Sequence, residues 1–154
     1  MAQAAGKRQN VWQFEYFMAR RLVWWAAISF SVGVPLIFME PALKGFGLQG
    51  IIWGLINAGL AVWGSYLTTT RYKSHTTPSA AGVAEIELRK LRKILALGML
   101  IYGAVALAGV IVMALPGRKY AFWLGSGLGL LVQGLGLVGF AAYHVKAMSE
   151  VKQS

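Results

Sequence analysis

Polar and apolar residues in this chain do not alternate along its length; they separate into blocks. Four blocks, Leu22–Met39, Leu48–Leu67, Ile94–Leu115 and Tyr120–Tyr143, contain no Asp, Glu, Lys or Arg. At a rise of about 1.5 Å per residue each covers roughly 27 to 36 Å, close to a hydrocarbon core of about 30 Å. A water-soluble helix shows an apolar stripe on one face, whereas these blocks are apolar all round. The pattern predicts an all-α, four-helix transmembrane bundle forming a single integral membrane domain over residues 1–154.

The segments between the blocks set the connections. Residues 1–9 read as a flexible tail, and Asn10 with Gln13 has the form of a helix N-cap and its partner. Residues 10–21 then make an interfacial lead-in, and the rings of Trp12, Phe14, Tyr16, Phe17, Trp24 and Trp25 suit head-group depth; a partner-binding helix is the alternative. Pro35 crowds the carbonyl of Ser31 and predicts a kink in the first span. "EPALKGFG" reads as a turn into the second span, and "TTTRYKSHTTPSAAG" as the long polar connection. Thr77 could cap a third helix with Pro78 in its first turn. "AEIELRKLRK", with Glu85 four residues before Arg89, extends that helix two or three turns into the cytoplasm. "PGRK" permits only a tight antiparallel turn, so helices three and four must be neighbours. A basic run, a span, a turn and a glycine-rich span occur in each half, a faint sign of internal duplication.

Charge gives the orientation. Lys7, Arg8, Arg20, Arg21, Arg71, Lys73, Arg89, Lys90, Arg92, Lys93, Lys146 and Lys152 fall on one side, against Lys44, Arg118 and Lys119 on the other. The positive-inside rule places both termini in the cytoplasm, and the expected location is a bacterial inner membrane, multi-pass. With 57% hydrophobic and 13% charged residues, the net charge of +10 reads as a topology and lipid-contact signal, not as nucleic-acid binding. The late start of the first block and the lack of a small-x-small site after it argue against a cleaved signal peptide.

Composition also restricts the chemistry. The chain has no cysteine, which excludes thiolate catalysis, disulfides and iron–sulfur clusters. Glu15, Glu40, Glu85, Glu87 and Glu150 all sit at or beyond the span boundaries. An exporter of the small multidrug resistance kind needs a carboxylate inside the first span, where this chain has "AAISFSVG". His75 and His144 lie in a loop and at a boundary, so no paired haem ligands occur in the spans, and zinc ligand sets are lacking too. The Arg- and Glu-bearing second helix of the eicosanoid and glutathione-transferase membrane family has no counterpart. The chain reads as a non-enzyme, with any cofactor unassigned.

Neutral polar residues remain. Ser29 and Ser31, Asn57, Tyr102 and Gln133 fall near the middle of spans one to four, and predict a mid-membrane layer of interhelical hydrogen bonds or a polar patch for a small molecule. Gly50, Gly54 and Ala58 form one small-residue row, and Ala121, Gly125 and Gly129 another, each allowing close helix approach. The fourth span, "GSGLGLLVQGLGLVG", is small on nearly every face, more than one neighbour can use.

The stretch "FGLQGIIWGLINAGLAVWG", with Gln49, Trp53, Gly54 and Asn57 at fixed steps, resembles the second-span signature of small uncharacterised bacterial four-helix integral membrane proteins. That resemblance implies an architecture and no activity. The leading expectation is a scaffold or accessory subunit whose glycine-rich helices pack on itself, as a homo-oligomer, or on a larger membrane complex, surrounded by membrane lipids. The alternative is binding or transport of a small neutral or lipidic molecule at the polar layer. A third is docking of cytosolic partners on "ELRKLRK".

Overall fold

The computed structural model describes residues 10–76 and 81–150, and among them there are four long α-helices and no strand. Helix α1 runs Val11–Leu36, α2 Pro41–Ser74, α3 Ala81–Ala114 and α4 Ala121–Ala147. Asn10 caps α1 as its sequence predicts, accepting a 2.9 Å hydrogen bond from the Gln13 amide. The lead-in and the first apolar block are one continuous helix. Pro35 lies in its last turn, where the N–H it lacks would have bonded to the Ser31 carbonyl, so the interruption falls at the end of the helix and not in mid-span. Residues 37–39 close the corner with i+3 bonds from Phe38 to Pro35 and from Met39 to Leu36.

Two connections are shorter than the sequence suggests. Helix α2 begins at Pro41, a proline at the first helical position where its missing N–H is no loss. The "EPALKGFG" turn therefore reduces to residues 37–40. At its other end α2 continues through "TTTRYKS", where Thr69 and Thr70 each return their hydroxyl to the carbonyl four residues back. The expected cap at Thr77 and Pro78 lies outside the described residues. "PGR" forms a short 3₁₀ turn that sets α3 and α4 antiparallel.

Three of the helices, in α2, α3 and α4, are long and apolar enough to cross a membrane. Helix α1 ends at Leu36, so its uncharged helical part covers only about 22 Å and carries Glu15, Arg20 and Arg21 before it. Helices α2 and α3, at 34 residues each, are about 51 Å long, well beyond a hydrocarbon core. Large apolar side chains face outward, among them Phe38, Leu100 and Val62. Such a surface suits lipid and not water.

The helices do not pack in chain order. Helix α1 lies on α2, α2 on α4 and α4 on α3, while α2 and α3 scarcely touch along their lengths. Glycines make the three good seams. A Cβ at Gly33 would sit 2.6 Å from the Gly47 carbonyl oxygen of α2, and one at Gly47 2.7 Å from that of Gly33. Gly109 and Gly127 make the same reciprocal approach between α3 and α4, each at 2.6 Å. Between α2 and α4, Gly45 lies against the Phe122 carbonyl and Gly125 against Ala42 with no room for a side chain.

The small-residue rows are partly displaced from their expected positions. Gly50, Gly54, Gly125 and Gly129 are buried, but Ala121 is exposed at the start of α4 and Ala58 is half-buried. On α2 the buried stripe continues through Asn57 and Ala61 in place of Ala58. The expected surplus of smooth surface on α4 is also largely used within the chain. Gly125 and Gly129 serve α2, Gly127 and Gly134 serve α3, and Gly136 lies against the Trp25 ring. Of the α4 glycines, Gly139 alone faces open space.

Candidate functional site

One end of the bundle holds a buried charged cluster. Val11, Trp12, Glu15, Ala19 and Ala26 share the buried face of α1, spaced by threes, fours and sevens as an α-helical stripe requires. Glu15 is therefore carried inward by its register. The same periodicity turns Thr68 inward on α2, and places Glu87 between Ala84 and Leu91 on α3. These three helices meet through Arg71.

The Arg71 guanidinium donates through Nη2 to Glu15 Oε2 at 2.7 Å and through Nη1 to Glu87 Oε2. Thr68 donates its hydroxyl to Glu15 Oε2 at 2.6 Å. Lys90 donates to the second oxygen of Glu87 at 2.8 Å. The Arg71 guanidinium also stands 6.0 Å from the Trp12 ring, whose edge contacts Tyr72. Both carboxylates are almost wholly buried. Charges so placed are tolerated because each has a partner, and removing the shared cation would leave Glu15 without one and Glu87 with Lys90 alone.

The pairing is incomplete at one atom. Glu15 Oε2 receives both donors, while Glu15 Oε1 is buried with no hydrogen-bond partner. Burial pushes the Glu15 carboxyl above the ordinary glutamate value, and Glu87 adds to this; Thr68 and Arg71 oppose it. A proton taken up by Glu15 therefore belongs on Oε1, the oxygen that no donor holds.

Beside the cluster, the gap between α2 and α3 opens into a cavity of about 300 Å³. All four helices line it. Glu15, Thr68 and Arg71 are its polar residues at the charged end, and Leu60, Gly64, Leu95, Tyr102, Leu137 and Phe140 contribute to an apolar wall. A few polar groups at one end of an apolar chamber is the usual form of a small-molecule site.

The expected mid-bundle polar layer is not a single network. Gln133 joins α4 to α1 by donating to Ser29 Oγ at 3.0 Å and accepting from Trp25 Nε1 at 2.9 Å. Tyr102 lines the cavity and meets Trp53 edge to face. Ser31 is exposed, because two residues along a helix from Ser29 is a turn of about 200°. Asn57 is fully buried, yet neither its amide oxygen nor its nitrogen has a partner. An unsatisfied buried polar group costs about 1–3 kcal/mol, so Asn57 is a cost to the fold and not a bridge between helices.

Residues 21–142 match a family of unknown function, DUF6992. The chain belongs to this family. The DUF6992 match takes in Thr68, Arg71, Glu87, Asn57 and Gln133, and leaves Glu15 just outside it. No curated protein and no solved structure matches the chain.

The sequence reading set the carboxylates aside as boundary residues, and so missed Glu15, Thr68, Arg71 and Glu87. The signal was present in the spacing. Trp12, Glu15, Ala19 and Ala26 lie on one face, as do Ala84, Glu87, Leu91 and Leu95. A carboxylate on the apolar stripe of each of two helices calls for a cation between them.

Proposed function

We propose that this chain is a multi-pass protein of a bacterial inner membrane, with both termini cytoplasmic and all four helices embedded, that binds a small amphipathic molecule in the cavity between them. The single observation that carries this reading is the four-helix cavity with Glu15 at its charged end, one of whose carboxylate oxygens is buried and unpaired. An apolar body would occupy the Leu60, Leu95 and Leu137 wall, and a hydrogen-bond donor on the same molecule would meet Glu15 Oε1. The separation of α2 from α3 supplies a lateral route from the lipid. This places the ligand nearer the cytoplasmic face than a site at Asn57 and Gln133 would.

Gly64 offers the test. It lines the cavity, and a Cβ there has no atom within 4 Å, so Gly64→Leu puts a side chain into the chamber without moving the backbone. Small molecules extracted from protein purified in mild detergent are compared by mass spectrometry between wild type and Gly64→Leu. A compound held stoichiometrically by the wild type and lost from an equally stable Gly64→Leu supports the proposal. Identical extracts from the two proteins would sink it.

A second reading, an accessory subunit or homo-oligomer, is favoured by Gly59, Gly103 and Gly139, which face open space. Each costs a helix roughly 1 kcal/mol relative to alanine with no packing gain inside the chain. Size analysis of gently solubilised native membranes separates the readings, because a free monomer has no use for those positions.

A further inference from the structure

Helices α1 and α4 are joined through Trp25, Ser29 and Gln133 but do not pack closely along their lengths. Between them runs a surface groove made of two adjoining hollows that share Trp25 and Ile28. The hollow nearer the charged end is bordered by Arg21, Tyr143 and His144, and the deeper one by Val32, Phe46 and Gly129. Measured along α1 from Arg21 to Gly33, the groove is about 18 Å long. That is close to one leaflet's share, about 15 Å, of the hydrocarbon core.

The head of the groove is cationic and uncompensated. Arg21 makes no ion pair among the described residues; its neighbours are the Tyr143 ring, 5.2 Å from the guanidinium carbon, and His144 Nε2, 3.4 Å from Nη1. His144 is buried and its Nδ1 lies 2.8 Å from the Phe140 carbonyl oxygen. A carbonyl can only accept, so Nδ1 carries the proton and Nε2 is left as an acceptor turned to Arg21. The imidazole thus orients the guanidinium without neutralising it. Below this head the polar atoms of Gln133 are engaged with Trp25 and Ser29, which leaves the groove floor apolar to an incoming chain.

We propose that the α1–α4 groove is a binding site for an anionic phospholipid, with the headgroup phosphate on Arg21 and one acyl chain lying past Trp25 and Ile28 towards Gly33. The charge complementarity is specific to Arg21. A zwitterionic lipid brings a second cation to a place already holding one, and a free phosphate leaves the apolar groove uncovered. The head of this site at Arg21 lies six residues along α1 from Glu15, in a hollow that neither Glu15 nor Arg71 lines, and the proposal does not depend on the cavity reading.

The test uses the full chain in nanodiscs or micelles, with phosphatidylglycerol and phosphatidylcholine as probes and native mass spectrometry as the readout. Phosphatidylglycerol is expected to bind the wild type about tenfold more tightly than phosphatidylcholine, as befits a charge-assisted contact. Arg21→Gln should remove that preference, while Arg20→Gln, altering the neighbouring exposed cation, should change it less than about twofold. Should Arg21→Gln not fold, Arg21→Lys keeps the charge and is expected to retain the preference. Equal losses in Arg20→Gln and Arg21→Gln would reduce the effect to diffuse surface charge and overturn the site. Displacement of the lipid by millimolar inorganic phosphate would overturn it as well, by showing a free-anion site.

Discussion

At the α2–α4 seam, Gly45 and Gly125 bring two backbones together with no space left for a side chain, whereas at the charged end α2 and α3 stand apart and Arg71 spans the gap between Glu15 and Glu87. The two regions hold helices by different physics. Backbone contact fixes a distance and leaves no room between the two helices that make it. A long guanidinium fixes which faces meet but leaves room behind it, and the cavity occurs where that kind of contact replaces the first. The α2–α4 seam is thus closed, while the α2–α3 gap at the charged end is open.

The largest expected effect breaks the charged side of this contrast. Arg71→Met leaves Glu15 and Glu87 buried without their shared cation, and should cost about 3–5 kcal/mol; denaturation in detergent micelles measures it. A loss below 1 kcal/mol would mean the cluster is solvated and not a clamp. Next comes the glycine side. Gly125→Ala forces a Cβ into the Ala42 backbone, with an expected cost of about 1–3 kcal/mol, and Gly139→Ala, in open space, serves as its control. A comparable loss in both would remove the distinction between seam and surface glycines.

Smaller effects sharpen the comparison. Asn57→Leu removes an amide that has no partner, so it is expected to raise stability by about 1 kcal/mol, checked by thermal unfolding; a clear loss would show that the amide is bonded after all. The last expectation is a slope with pH. Glu15 has its carboxyl raised from the ordinary value of 4.5, so the folded protein holds that proton more tightly than the unfolded chain does. Its contribution to stability is full below pH 4.5 and is lost as pH climbs through the raised folded value. Wild type should therefore lose stability relative to Glu15→Gln as pH rises from acid towards neutral. A flat difference would place Glu15 in water.

Much of the architecture was legible in the sequence because a membrane span requires a long uncharged block: Ile94–Leu115 overruns the end of α3 by one residue, and Tyr120–Tyr143 comes close to the bounds of α4. The Asn10 cap and the tight "PGRK" turn were legible too, since both rest on local chemistry. Helix ends were less so. Charge marks where a block stops, while α2 continues through Arg71 and Lys73 because a helix can outlast its apolar stretch. The site was the least legible part. Depth along a span suggested that Ser29, Ser31, Asn57, Tyr102 and Gln133 form one layer, but partnership depends on azimuth as much as depth. Azimuth turns Ser31 outward, strands Asn57 and joins Gln133 to Ser29 and Trp25. The same rotation turned Glu15 and Glu87 inward, which position along the sequence alone concealed.

The packing order α1–α2–α4–α3 also bears on how the chain comes together during synthesis. Each of the pairs α1–α2 and α3–α4 is a hairpin closed by a short corner and locked by its own glycines, Gly33 with Gly47 and Gly109 with Gly127. Contacts this local carry little loop-closure entropy. The first hairpin can therefore zip shut while the second is still being made, with nothing yet required from the unfinished half. What waits for the end is the α2–α4 seam and the cross-hairpin bonds of Gln133 and Arg71. Until those form, Glu15 has no clamp across to α3 and the cavity has no far wall, so the cavity is the last thing the chain builds.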